Sequence, residues 1–101
     1  AELVLLRAEG QWNFGPRSAP AVIDLLGTLD DSEWTDPALA ERRATLLALA
    51  LVTRGEAPDL VRARPILAQW IPRSTDPYRR DVLRALQGVC AEPPAVPVAN
   101  Q

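Results

Sequence analysis

Histidine, lysine and methionine are absent from this chain, and cysteine occurs once, at Cys90. Without His, both the commonest general base and the commonest metal ligand are missing, and Cys90 has no imidazole to activate it as a nucleophile. A single thiol also rules out an intrachain disulfide and a thiolate metal cluster. Aromatic residues are few: Trp12, Phe14, Trp34, Trp70 and Tyr78. Long hydrophobic runs are missing too. The longest nearly apolar stretch, Ala44 to Val52, holds nine residues, where a helix that spans a bilayer needs about 20. The chain contains no GxGxxG, Walker A, HExxH or GxSxG pattern, so phosphate-loop, zincin and serine-hydrolase chemistry find no foothold. A soluble, non-catalytic protein without cofactor, metal or transmembrane segment is the expectation.

What is present points to helices. The 101 residues suit one domain, and 48% apolar against 24% charged residues is enough to fold it. All eleven basic residues are Arg and the net charge is −2, so a polyanionic partner such as nucleic acid is not expected. The Ala, Arg, Leu and Pro bias suggests a GC-rich, bacterial source. An Ala-Glu start is what signal-peptidase cleavage leaves, which would place the protein in the periplasm or envelope, with the cytoplasm as the other compartment.

Gly10 with Pro20 and Gly55 with Pro65 recur at an offset of 45 residues. Val4 and Leu6 then overlie Leu49 and Leu51, and Val22, Leu25 and Leu26 overlie Leu67, Trp70 and Ile71. A period in this range is the mark of stacked helical hairpins, each too small to bury its own apolar face.

The element boundaries follow from local chemistry. Leu3 and Leu6, one turn apart, predict a first helix over Glu2–Glu9 with Gly10 as its stop. A turn-rich connection over 11–17 carries Trp12 and Phe14, which are expected to fold back onto the helices. Ser18 as cap and Pro20 in the first turn open a second helix with Val22, Leu26 and Leu29 on one face. Asp36-Pro37 starts a third helix that runs to Arg54 and stops at Gly55; it is apolar nearly all round and so buried. A fourth helix begins near Pro58 and Asp59, is kinked or broken by Pro65 and closes at Pro72. Pro77 to about Val89 makes a fifth, with Tyr78, Val82, Leu86 and Val89 inward and Arg79, Arg80 and Arg84 outward. The expected architecture is all-α: about five helices in antiparallel hairpins, forming a repeat array or a small bundle over residues 1–90. Residues 91–101 are a Pro-rich, flexible tail.

The stretch from Gly55 to Ala63 resembles the hairpin turn of Sel1-like and tetratricopeptide-like repeats. In the Sel1 pattern a Gly ends one helix, an Asp and a large side chain open the next, and a basic residue and Ala follow; here these are Gly55, Asp59, Leu60, Arg62 and Ala63. The spacing of 40 residues between Asp36-Pro37 and Asp76-Pro77 lies within that family's repeat length. The resemblance covers 36–73, while Pro65 departs from it. It implies an adaptor that binds another protein or a peptide, with an envelope or secretion-system role, or a lipoprotein, as an extension.

Candidate partner-binding residues are Trp12, Phe14, Trp34, Arg73, Arg79, Arg80 and Arg84. Trp side chains anchor many interfaces, but packing explains Trp12 and Trp34 equally well and explains Trp70 better. The Arg residues of helix five could dock acidic groups, although Asp76 and Asp81 dilute their field. Asp30, Asp31, Glu33 and Asp36 read as caps and loop solvation, since the ligand order of a Ca²⁺ loop is absent. Two alternatives to the adaptor remain: a DNA-binding or regulatory domain using helix five, and a fragment of a longer helical solenoid. The oligomeric state and the partner's identity are open.

Overall fold

The computed structural model describes residues 1–91; the segment 92–101, read above as the body of a flexible tail, lies outside them. Five α-helices make up the described chain: α1 (Glu2–Trp12), α2 (Ala19–Leu26), α3 (Pro37–Arg54), α4 (Ala57–Trp70) and α5 (Pro77–Ala91). Short 3₁₀ turns at Pro16–Ser18 and Asp31–Glu33 join the first three. No strand occurs among the described residues, so the protein is all-α.

α3 starts and stops as its sequence dictates. Asp36 Oδ1 accepts the Ala38 N–H at 2.8 Å and the Leu39 N–H at 3.4 Å, and Pro37 occupies the first helical position, where no N–H is needed. At the other end Gly55 takes φ +70°, and a Cβ there would stand 3.2 Å from the Val52 carbonyl oxygen. Only Gly takes that left-handed turn without strain. The nearly all-round apolar surface of α3 has a direct consequence: it packs against α1, α2, α4 and α5 alike. Ala44, Ala48 and Ala50 are buried among Leu46, Leu47 and Leu51.

Two residues, Gly55 and Glu56, separate α3 from α4, and an ion pair fixes the turn. Arg54 donates to Asp59 through Nε (2.8 Å) and Nη2 (2.7 Å), while the Glu56 N–H reaches the same carboxylate at 3.3 Å. The Arg54 hydrogen bonds hold the Asp59 carboxyl below the usual carboxylate range; burial opposes this in part and the Glu56 N–H reinforces it. A carboxyl with a lowered folded-state pKa contributes stability that is full above its unfolded value of about 3.9 and is lost as pH falls through the folded value. Asp59→Asn should therefore be less stable than the wild type at neutral pH, with the gap closing in acid. Urea titrations across that range check this, and a gap independent of pH would contradict the assignment.

Several expectations need correction. α1 runs through Gly10 to Trp12, and the positive-φ glycine that breaks the chain is Gly15 (φ +98°). A glycine on an exposed helix position costs only about 1 kcal/mol, too little to end a helix by itself. The buried face of α1 is Leu5 and Ala8, with Leu3 (65% exposed) and Leu6 turned to solvent. Ser18 stands at the N-cap position of α2, but its hydroxyl makes no cap bond and donates back to the Gly15 carbonyl at 2.7 Å. α4 is unbroken at Pro65. Val61 and Pro65 are both exposed, so the carbonyl that loses its donor lies on the wet side of the helix. α5 buries Leu83, Leu86 and Cys90 with Val82 alongside, whereas Tyr78 and Val89 are exposed. Arg64 of α4 closes that helix by donating to the Cys90 carbonyl through Nε and Nη2 at 3.2 and 3.0 Å.

Of the residues paired by the 45-residue offset, Val22 and Leu67 are both buried, and Val4 with Leu49, and Leu25 with Trp70, are alike half-buried, whereas the glycines and prolines occupy unlike environments. Gly10 lies within α1 and Gly55 in a turn; Pro20 lies in the first turn of α2 and Pro65 in the interior of α4.

Candidate functional site

A cleft of about 570 Å³ opens where α3, α4 and the Asp31–Trp34 turn meet. Helical periodicity builds its walls. Pro37, Ala40, Ala44 and Leu47 recur at steps of three and four along one face of α3, and Arg62, Ile66, Gln69, Trp70 and Arg73 come from α4 and the turn after it. Small side chains on α3 leave the space, and Trp70 and three guanidinium groups border it.

Two of those guanidinium groups rest on indole rings. The Arg43 guanidinium carbon sits 5.1 Å from the Trp34 ring centroid and that of Arg73 5.9 Å from the Trp70 centroid, both within cation–π range. Arg43 Nη1 also donates to Asp31 Oδ1 at 2.8 Å, although Asp31 is 91% exposed. Arg43 Nε and Trp34 Nε1 are enclosed and have no hydrogen-bond partner. Arg62 and Arg73 make no ion pair among the described residues. The cleft lining thus carries Arg43, Arg62 and Arg73 against the single carboxylate of Asp31, a local positive excess on a chain whose net charge is −2.

The candidate residues distribute unevenly. Trp34 and Arg73 line this cleft, but Trp34 is only 7% exposed, so it forms the floor beneath Arg43 and is no projecting anchor. Trp12 and Arg79 line a second, shallower hollow of about 360 Å³. There Arg42 is held by Glu9 (Nη2 to Oε1, 2.7 Å) and Arg79 by Glu41 (3.4 Å), so both cations are already matched. Trp12 packs half-buried against the core, whereas Phe14, expected to fold back, stays 80% exposed. Arg79 and Arg80 are half-buried, against the outward position read from periodicity, and Arg80 Nη2 donates to the Ser74 carbonyl at 3.1 Å. Arg84 is exposed. The acidic loop divides its work: Asp36 caps α3, Glu33 accepts the Asp30 N–H and Asp31 holds Arg43.

Sequence reasoning passed over Arg43, Arg62 and the site role of Trp70. Arg62, Gln69 and Arg73 lie along one side of α4 and the turn after it, with Ile66 between them, and that run of polar residues beside an apolar stripe was the signal available. Among the described residues no helix is long and apolar enough to cross a membrane. No family model, curated protein or solved structure matches this chain.

Proposed function

We propose that this protein is a non-catalytic interaction module that docks a segment of another protein in the cleft between α3 and α4. The observation that carries this reading is the cleft itself: an apolar wall of Pro37, Ala40, Ala44 and Leu47 faces Trp70 and a row of arginines. Such a combination of apolar contact area with Trp and Arg is what dominates binding energy at protein interfaces. Ring stacking restrains two of the guanidinium groups before any partner arrives, which lowers the entropy lost on docking. The Arg residues of α5 serve this function less well, since Arg79 and Arg80 are engaged within the fold.

Site-specific photocrosslinking tests the proposal. A benzophenone at Gln69, in the cleft, should yield a covalent adduct with a discrete protein of the source organism, and one at Gln87 on α5 should not. Trp70→Ala should weaken recovery of that partner about tenfold or more, with Arg62→Ala as a second variant at an exposed position that leaves the fold intact. Adducts formed equally well from Gln87, or formed undiminished in both variants, would move the site elsewhere.

A further inference from the structure

We infer that the segment this cleft receives is acidic, and that Asp31, whose carboxylate already pairs with Arg43, acts as a built-in competitor for the site. This rests on the docking reading above and specifies its ligand chemistry. Three observations converge. Arg62 and Arg73 border the cleft without an ion-pair partner among the described residues. Arg43 has one, but Asp31 is 91% exposed and contacts a single guanidinium nitrogen, Nη1. Such an exposed, single-point ion pair contributes little to stability and is readily exchanged. The third observation is the pair of orphaned donors: Arg43 Nε and Trp34 Nε1 are enclosed and unpartnered in the same place.

Native proteins rarely leave a buried donor unmet, because desolvation is then uncompensated. A carboxylate approaching the Nε edge of Arg43 would form the fork-shaped pair that guanidinium favours, using Nε and Nη2 together, the edge away from Asp31 on Nη1. Both atoms that now lack partners are sealed in the present packing, so engagement requires the guanidinium to tilt on the Trp34 ring. Asp31 competes through its charge, which already neutralises part of the Arg43 field. The apolar wall of α3 suits the aliphatic side chains of a peptide. A nucleic acid, whose affinity rests on many phosphate contacts, finds only three arginines here beside an apolar wall that its backbone cannot use.

The test uses fluorescein-labelled short peptides of Glu and Leu, the same peptides with Gln for Glu, and a short single-stranded oligonucleotide. Binding is followed by anisotropy and by Trp fluorescence. The Glu peptide should bind, and the Gln peptide should be weaker by about tenfold. Asp31→Asn should tighten binding of the Glu peptide severalfold while leaving that of the Gln peptide unchanged, and Arg43→Met should narrow the difference between the two peptides, Arg62 and Arg73 remaining. Asp31 lies at the surface, so its variant folds even if Arg43→Met does not. Equal binding of both peptides would overturn the acidic assignment while leaving the docking groove standing. An unchanged affinity in Asp31→Asn would overturn the competitor role, and tighter binding of the oligonucleotide would transfer the site to nucleic acid. Failure of every peptide to bind would remove the docking reading itself.

Discussion

Leu51→Ala should lower the unfolding free energy by about 4 kcal/mol, the upper part of the range for a leucine truncated in a packed core. Leu51 is fully buried, as are Ala48 and Ala50 beside it, and the backbone of α3 is held by neighbours on several sides. A site enclosed in this way cannot collapse onto the space left by the lost carbons, so the cavity persists and its cost adds to the lost transfer energy. For a domain of this size, with a total stability of about 5–15 kcal/mol, such a loss is a large fraction of the whole. The control is Leu3→Ala on the solvent side of α1, 65% exposed, which should stay within about 0.5 kcal/mol of the wild type. Urea unfolding of the two variants provides the comparison. Equal losses would mean that the facing of α1 is misassigned.

Glu41→Ala should cost about 3 kcal/mol, because it strips the buried Ser74 hydroxyl and the half-buried Arg79 of their acceptor. Glu41 sits on α3 with Ser74, from the α4–α5 connection, donating its hydroxyl to Glu41 Oε2 at 2.7 Å; Arg79 Nη1 approaches the same oxygen at 3.4 Å. Both Glu41 and Ser74 are buried. The carboxylate therefore ties the loop before α5 to the middle layer of the molecule. Glu41→Gln keeps an acceptor for the Ser74 hydroxyl and loses only the charge, so it should cost about 1 kcal/mol. A double-mutant cycle with Ser74→Ala should give a coupling of about 1 kcal/mol. If Glu41→Gln and Glu41→Ala proved equally damaging, or the coupling vanished, the hydroxyl would not be what the carboxylate serves.

The boundaries of the long helices were legible because each rests on chemistry confined to a few residues. Asp36 with Pro37, and Gly55, set both ends of α3 where the sequence places them. The facing of α1 and α5 was not legible in the same way. In α1 the consecutive apolar residues Leu3, Val4, Leu5 and Leu6 support more than one phase, and the buried choice includes Ala8, a side chain too small to weigh in a periodicity argument. In α5 the inward stripe includes Leu83 and Cys90, while Tyr78 and Val89 stay outside. Which stripe wins is decided by neighbours distant in sequence, since α5 packs on both α3 and α4. The cleft was harder still to read. It needs Asp31 and Trp34 from a loop, Arg43 from α3 and Arg62 from α4 to converge, and no local spacing announces that convergence. Trp34 shows the limit: its indole is buried, yet it matters to the site as the surface that carries Arg43.

The central position of α3 makes it the junction of the molecule: among the described residues the α1–α2 pair and the α4–α5 pair make no contact with each other. Here the third helix touches all four others, including α1 and α5, in a hub-and-spoke arrangement. Neither terminal pair is a self-sufficient module: excising α3 would leave the remaining helices without their common support, and the domain should gain or lose order as one cooperative unit.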